Sequence, residues 1–186
     1  MADVPLTDEG LMSAWDLGTC LDLDVIYHDH LKRCRDTADV LYRRGRANIV
    51  VENNGPLPWN MGSLFQGKEI TEGSLEMARW YIYGNPYGIP PDGECFAHWR
   101  DRWINFIRWL KIGHSATGIV THNRNIQYLY ATQRGMLSPQ IYDVPGPDFC
   151  SVHYYDQRTG HIEPWGGRNV PKGIYLIRHG KTEYGT

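Results

Sequence analysis

Long apolar runs are missing from this chain of 186 residues, and none approaches the ~20 that a membrane-spanning helix requires. The opening residues, MADVPLTDEG, have no basic start leading into an apolar stretch, so no signal peptide is expected there. An excess of charge of one sign is missing too. The formal net charge of −2 argues against a general nucleic-acid or membrane-surface binder. Cysteine is limited to four residues (Cys20, Cys34, Cys95 and Cys150), widely spaced and without a CxxC pair. Reduced thiols in a cytoplasmic protein are the simpler expectation. Repeats and low-complexity tracts are absent.

What is present reads as a soluble globule. Hydrophobic residues make up 41% and charged residues 22%. The length suits one domain over 1–186. The 7 Trp and 12 Tyr are read as core and helix packing. Thr7 is placed to cap a helix reaching about residue 18. A second helix is expected over 31–44, with Gly45 as its stop. Helices are also expected over 74–83 and, most strongly, 94–110. In the latter, Phe96, Trp99, Trp103, Phe106 and Leu110 recur at spacings of three and four. Strands are expected at 25–27, 48–52, 118–121, 149–155 and 173–177, with another short one after a turn at 156–160. Segments 53–67 and 85–93, rich in Asn, Gly and Pro, read as loops. Strands alternating with helices make the fold an α/β sandwich.

Two of the strand candidates end alike. IYLI runs into Arg178-His179-Gly180, and GIVT runs into His122. Ligands of open α/β sheets bind outside the carboxyl ends of the strands, so both histidines are aimed at the usual site. Gly180 permits a sharp turn after His179, with backbone amides free to meet an anion. Arg178 offers a planar fork that matches the oxygens of a phosphoryl group. Strand-end histidines without chemistry are the other reading of each residue alone.

The next motifs are more specific. LIRHGKT (176–182) resembles the signature of the histidine phosphatase superfamily, in its phosphoglycerate mutase-like branch. VTHN (120–123) resembles that family's second histidine motif. HLKRCRDTA (30–38) is similar to its helix with a second phosphate-binding arginine, here Arg33. DGE (92–94) and PLTDEG (5–10) resemble its late-helix and first-helix entries. The resemblance implies a three-layer α/β/α sandwich with a mostly parallel central sheet. The motif order is changed, because in the family RHG lies near the N-terminus and here it comes last. Joining Thr186 to Met1 restores the family order. A circularly permuted phosphoglycerate mutase-like fold is therefore expected, with its ends close together on the rim of the site.

By the same resemblance, His179 attacks phosphorus and becomes phosphohistidine. Arg178, Arg33 and His122 surround the equatorial oxygens, and Asn123 and Gly180 add phosphate contacts. The family often has Asn where Gly185 stands. On spacing alone, Arg33 is one charge among Lys32, Arg35, Arg43 and Arg44 on a solvated helix face, and the motif is what selects it. A carboxylic acid should protonate the leaving oxygen. The family's usual Glu has no counterpart in PLPWNMGSLFQG, where Pro58 or Trp59 stands in its place. Glu94 is the first replacement, with Glu52 and Asp92 as alternatives. Glu94 also reads as a plain helix N-terminal carboxylate. No metal and no cofactor is expected, since the cationic side chains do that work.

The implied activity is a cytoplasmic, metal-independent phosphomonoester hydrolase. Its partner is a small phosphorylated substrate, not nucleic acid or membrane, and a homodimer stays open. A phosphomutase and a catalytically weakened phosphate-ester binding protein are the alternatives. A metal site at His28, His30 or His114 is a third reading, but His28 and His30 supply only two of the ligands zinc needs. Trp59, Phe65 and Tyr87 either stack on a substrate or pack against each other.

Overall fold

The computed structural model of the chain describes residues 3–45, 47–63, 71–110, 115–136, 138–167, 170 and 172–183. Helices and strands alternate along it: α1 (Asp8–Gly18), β1 (Val25–His28), α2 (Lys32–Arg44), β2 (Ile49–Glu52), α3 (Glu72–Tyr83), α4 (Phe96–Trp109), β3 (Ala116–Thr121) and α5 (Asn123–Gln133). A 3-10 helix (Ser138–Asp143) follows, then β4 (Val152–Asp156), β5 (His161–Pro164) and β6 (Gly173–Arg178).

The expected ends are set by local chemistry. Thr7 adopts extended backbone and its Oγ1 accepts from the Gly10 amide at 3.1 Å, which starts α1. Gly45 closes α2 by donating its amide to the Leu41 carbonyl at 2.7 Å. The start of α2 is capped from outside the helix, because Leu31 has no capping group and Asp3 Oδ1 accepts from the Lys32 amide at 2.5 Å. Acceptors placed there satisfy amides that the helix itself leaves orphaned.

The six strands form one sheet in the order β2-β1-β3-β6-β4-β5. β1, β2, β3 and β6 run parallel, β4 is antiparallel to β6, and β5 is antiparallel to β4. Side chains alternate across this sheet with period two, which makes two cores. Ile119, Ile174 and Leu176 face Trp99, Trp103, Phe106 and Ile126. Ile26, Val120, Tyr175 and Ile177 face Cys34, Ala38 and Leu41. Thus α4 and α5 cover one face, and α2, with α1 packed on it, covers the other. This is the expected three-layer arrangement. Each fully buried large side chain stabilises it by roughly 1.5–3 kcal/mol.

Three elements differ from expectation. β4 starts at Val152 rather than 149, because Phe149 and Cys150 form a turn with Cys150 at φ 55°. Helix α5 has no counterpart among the expected elements. Its buried positions include Asn125 and Gln127, which break the apolar rhythm. Asn125 is paired instead: its Nδ2 donates to the Pro56 carbonyl at 2.7 Å and its Oδ1 accepts from Trp99 Nε1 at 3.2 Å. The 3-10 helix was unforeseen for the same reason, having no regular apolar spacing.

The two ends of the described chain meet. Leu6 and Thr182 form an antiparallel bridge, and the Thr7 amide donates to the Lys181 carbonyl at 2.9 Å. The approach requires glycine at residue 10, where a Cβ would lie 2.4 Å from the Lys181 oxygen. No helix among the described residues is long and apolar enough to cross a membrane.

Candidate active site

β1 and β3 are neighbours, yet the helices that follow them, α2 and α5, lie on opposite faces of the sheet. A crevice opens at such a switch point, outside the carboxyl ends of the strands. Four expected residues converge there. His179 follows β6, His122 sits between β3 and α5, Arg33 lies in the first turn of α2, and Arg178 ends β6. The His179 amide donates to the Thr121 carbonyl at 3.1 Å, so the β3–β6 ladder itself brings the two histidines together. Their ring centroids are 5.0 Å apart.

Partners define both tautomers. His179 Nδ1 is 2.8 Å from the Gly180 carbonyl, which can only accept, so Nδ1 carries the proton and Nε2 keeps a lone pair. Burial, with the nearby charges of His122, Arg33 and Arg178, pushes the His179 pKa well below the usual histidine value. The nucleophile candidate is a neutral imidazole. His122 Nε2 is 2.7 Å from Asp29 Oδ2, and His122 Nδ1 accepts from Arg33 Nε at 3.4 Å. Burial lowers the His122 pKa, and the Asp29 carboxylate offsets this only in part. Asp29 is fully buried, and burial raises its pKa. His122, the Leu31 amide and Arg33 outweigh that and hold it below the ordinary value.

Arg178 is clamped over Phe149, 3.7 Å from guanidinium carbon to ring centroid, and donates Nη1 to the Pro147 carbonyl. Among the described residues, its buried Nε and the buried Oδ1 of Asn123 have no hydrogen-bond partner. Phe149 also lies 5.7 Å from the His179 ring. The site therefore combines a neutral imidazole with two guanidinium groups in a largely buried setting, which suits an anionic, phosphoryl-like centre.

The family model of the histidine phosphatase superfamily (branch 1) matches residues 1–164. This chain belongs to that superfamily. A search of curated proteins found no match. Among solved structures, the chain resembles an Escherichia coli protein assigned as an alpha-ribazole-5'-P phosphatase. Identity is 20%, with 93% of this chain and 88% of that one covered, at a TM-score of 0.64. The alpha-ribazole phosphatase of Shigella flexneri matches at 20% identity and a TM-score of 0.61, with 93% and 88% covered. A mycobacterial glucosyl-3-phosphoglycerate phosphatase matches at 16% identity and a TM-score of 0.55, with 94% and 85% covered. At these identities the likeness concerns the fold.

In this member of the superfamily, other expected site residues stand differently. The Gly180 amide is not free for an anion, because it donates to Thr37 Oγ1 at 3.0 Å. Glycine is required there for packing, since a Cβ would lie 2.8 Å from the Gly10 carbonyl oxygen. Glu94 is half-buried and held by Arg102, at 2.7 Å from Nη2, and by the Asn60 amide at 3.1 Å. No described contact links it to the histidine pair. Glu52 is exposed at the end of edge strand β2, three strand spacings or roughly 14 Å from β6. Asp92 is an exposed turn residue with φ 58°.

His28 and His30 do not converge. His28 is buried against its neighbour's backbone, 2.7 Å from the Asp29 carbonyl, while His30 is exposed beside Asn54. Trp59 packs in the core, 5.3 Å from Phe96, whereas Tyr87 is exposed. Phe65, His114 and Gly185 lie outside the described residues. Asp29, Cys34 and His122 have ligand-type atoms within 4.8 Å of one another. The 2.7 Å nitrogen–oxygen separation is a hydrogen bond, shorter than the roughly 3.3 Å between two ligands of one zinc ion.

Asp29, Cys34, Thr37 and Phe149 were not singled out from sequence. Asp29 left one trace, its place four residues before Arg33 in HDHLKR. Phe149 left none.

Proposed function

We propose that this chain is a metal-independent phosphomonoester hydrolase in which His179 forms a phosphohistidine. The observation that carries the reading is the Nδ1–Gly180 hydrogen bond, which leaves Nε2 of a neutral imidazole unprotonated within reach of Arg33, Arg178 and His122. In this reading His179 Nε2 attacks phosphorus in line, and the guanidinium groups stabilise the equatorial oxygens. The unpartnered Arg178 Nε and the side chain of Asn123 meet phosphate oxygens or the leaving group. Proton transfer is not assigned to Glu94, whose carboxylate is held by Arg102.

The motif order supports a circular permutation of the family fold. The matched span, 1–164, ends ahead of β6, and the Leu6–Thr182 bridge brings the segments before and after the break together. The neighbours' names include alpha-ribazole-5'-P and glucosyl-3-phosphoglycerate as phosphatase substrates, so small phosphate monoesters are the class to test first.

A panel of such esters with wild type and His179→Ala tests the proposal, in the presence of a chelator. Expected are turnover by the wild type, an acid-labile phosphoenzyme, and at least a 10³-fold loss in the variant. Activity that survives the substitution sinks the reading.

A further inference from the structure

We infer that His122, oriented by the buried carboxylate of Asp29, is the proton-transfer residue of this site, giving up a proton to the leaving oxygen and later taking one from the attacking water. The inference rests on the hydrolase reading and supplies the acid–base partner that reading lacks.

Three observations carry it. The first is elimination by geometry. Glu94 is salt-bridged to Arg102, Glu52 stands at the far edge of the sheet, and Asp92 is in an exposed turn. The second is the pairing itself. Asp29 is 0% exposed, and both its oxygens are used: Oδ1 accepts from the Leu31 amide at 2.8 Å and Oδ2 lies 2.7 Å from His122 Nε2. A carboxylate buried this completely is costly unless its partner is fixed. The third is direction. With Nε2–H committed to Asp29, the only ring nitrogen of His122 able to exchange a proton is Nδ1, which accepts from Arg33 Nε at 3.4 Å, a long bond that a substrate can replace. Arg33 cannot give up its proton, so the exchange is with substrate or water.

The charged and titratable groups around His122 come from each element packed on it. They are Asp29 ahead of α2, Arg33 and Cys34 in α2, Arg178 at the end of β6 and His179 just after it. The Cys34 thiol, 3.3 Å from His122 Nε2, is pushed well up by burial and stays protonated.

The steps balance. In the first, a monoester monoanion displaces the Arg33 contact and gives its proton to His122 Nδ1, His179 Nε2 bonds to phosphorus, the ester P–O bond breaks, and His122 passes that proton to the departing oxygen. In the second, water attacks phosphorus, the P–N bond breaks, and neutral His122 takes the water proton. His122 returns that proton to the departing phosphate, so the sum is ester plus water giving alcohol plus phosphate, with His122 and His179 both again neutral. Asp29 keeps its charge throughout and acts as a positioning residue.

The test uses two substrates with wild type, Asp29→Asn and His122→Gln. p-Nitrophenyl phosphate has a leaving group that departs without a proton, whereas glycerol phosphate does not. Both variants should lose about 10²-fold more activity on glycerol phosphate than they lose in the p-nitrophenolate burst. Phosphohistidine should accumulate after the burst, because its hydrolysis still needs the base. Equal losses on both substrates and in both steps would mean a structural role and overturn the inference. If Asp29→Asn does not fold, as judged by circular dichroism, His122→Gln decides by the same ratio. A wild type with no burst and no phosphohistidine overturns the hydrolase reading instead, so the two failures are distinguishable.

Discussion

A carbonyl oxygen cannot donate, so the Gly180 carbonyl beside His179 Nδ1 fixes where the imidazole proton lies. The proposed chemistry rests on single residues of this kind, and one of them separates two roles cleanly. Glu94 binds Arg102, and Arg102 in turn donates to the carbonyls of Asn54 and Leu57 at 3.0 and 3.1 Å. The pair staples the 53–62 loop to the start of α4. Glu94→Gln should therefore raise KM severalfold, leave kcat within about threefold, and cost about 1 kcal/mol in a denaturant melt. A 10²-fold fall in kcat at unchanged KM would return Glu94 to the role of acid. At this scale the sequence was legible wherever identity and strand-end position sufficed, as for His179, His122 and Arg178. It left only a faint trace of Asp29, which is buried against a residue 93 positions away. It misled on Gly180, whose amide is committed to Thr37.

Elements bring such residues together, and β4 shows how a strand can make stability depend on pH. Ser151 Oγ donates to the Asp148 carbonyl at 2.6 Å and so accepts from His153 Nε2 at 3.0 Å. His153 Nδ1 must then accept from the Tyr130 hydroxyl at 2.8 Å, which ties β4 to α5. The Tyr130 hydroxyl donating to Nδ1 favours the neutral ring, and burial lowers its pKa from 6.5 to about 4. A depressed histidine favours folding fully above its unfolded value and loses that contribution as pH falls. The melting temperature should be level with respect to His153 above pH 6.5 and decline from there to about pH 4. His122 and His179, also lowered, add to the decline, so His153→Gln should flatten it only in part. A slope unchanged in that variant counts against the assignment. Element ends were readable because caps and stops are local chemistry, as at Thr7 and Gly45. α5 was not readable, because its inward face carries Asn125 and Gln127, whose partners are supplied by distant loops.

At the scale of the whole molecule, four parallel strands point their carboxyl ends to one side, and β6, the strand that leads into His179, lies between β3 and β4 rather than at an edge. A strand so placed is needed to join β3 to β4, yet it is the last of the six in chain order. In the permuted reading proposed above, the bridge from Leu6 to Thr182 pairs the two segments that the family order would join. Linking Thr186 to Met1 and opening the connection between β5 and β6 would make β6 the first strand and put RHG near the new N-terminus. Loop-closure entropy changes only slowly with loop length, so the rearranged chain loses little in stability. It should melt within about 5 °C of the original and keep hydrolysis of phosphate esters within about tenfold. A relinked chain that is soluble but lacks the cooperative melt of the original would mean that the break itself shapes the fold, and the permuted reading would fail with it.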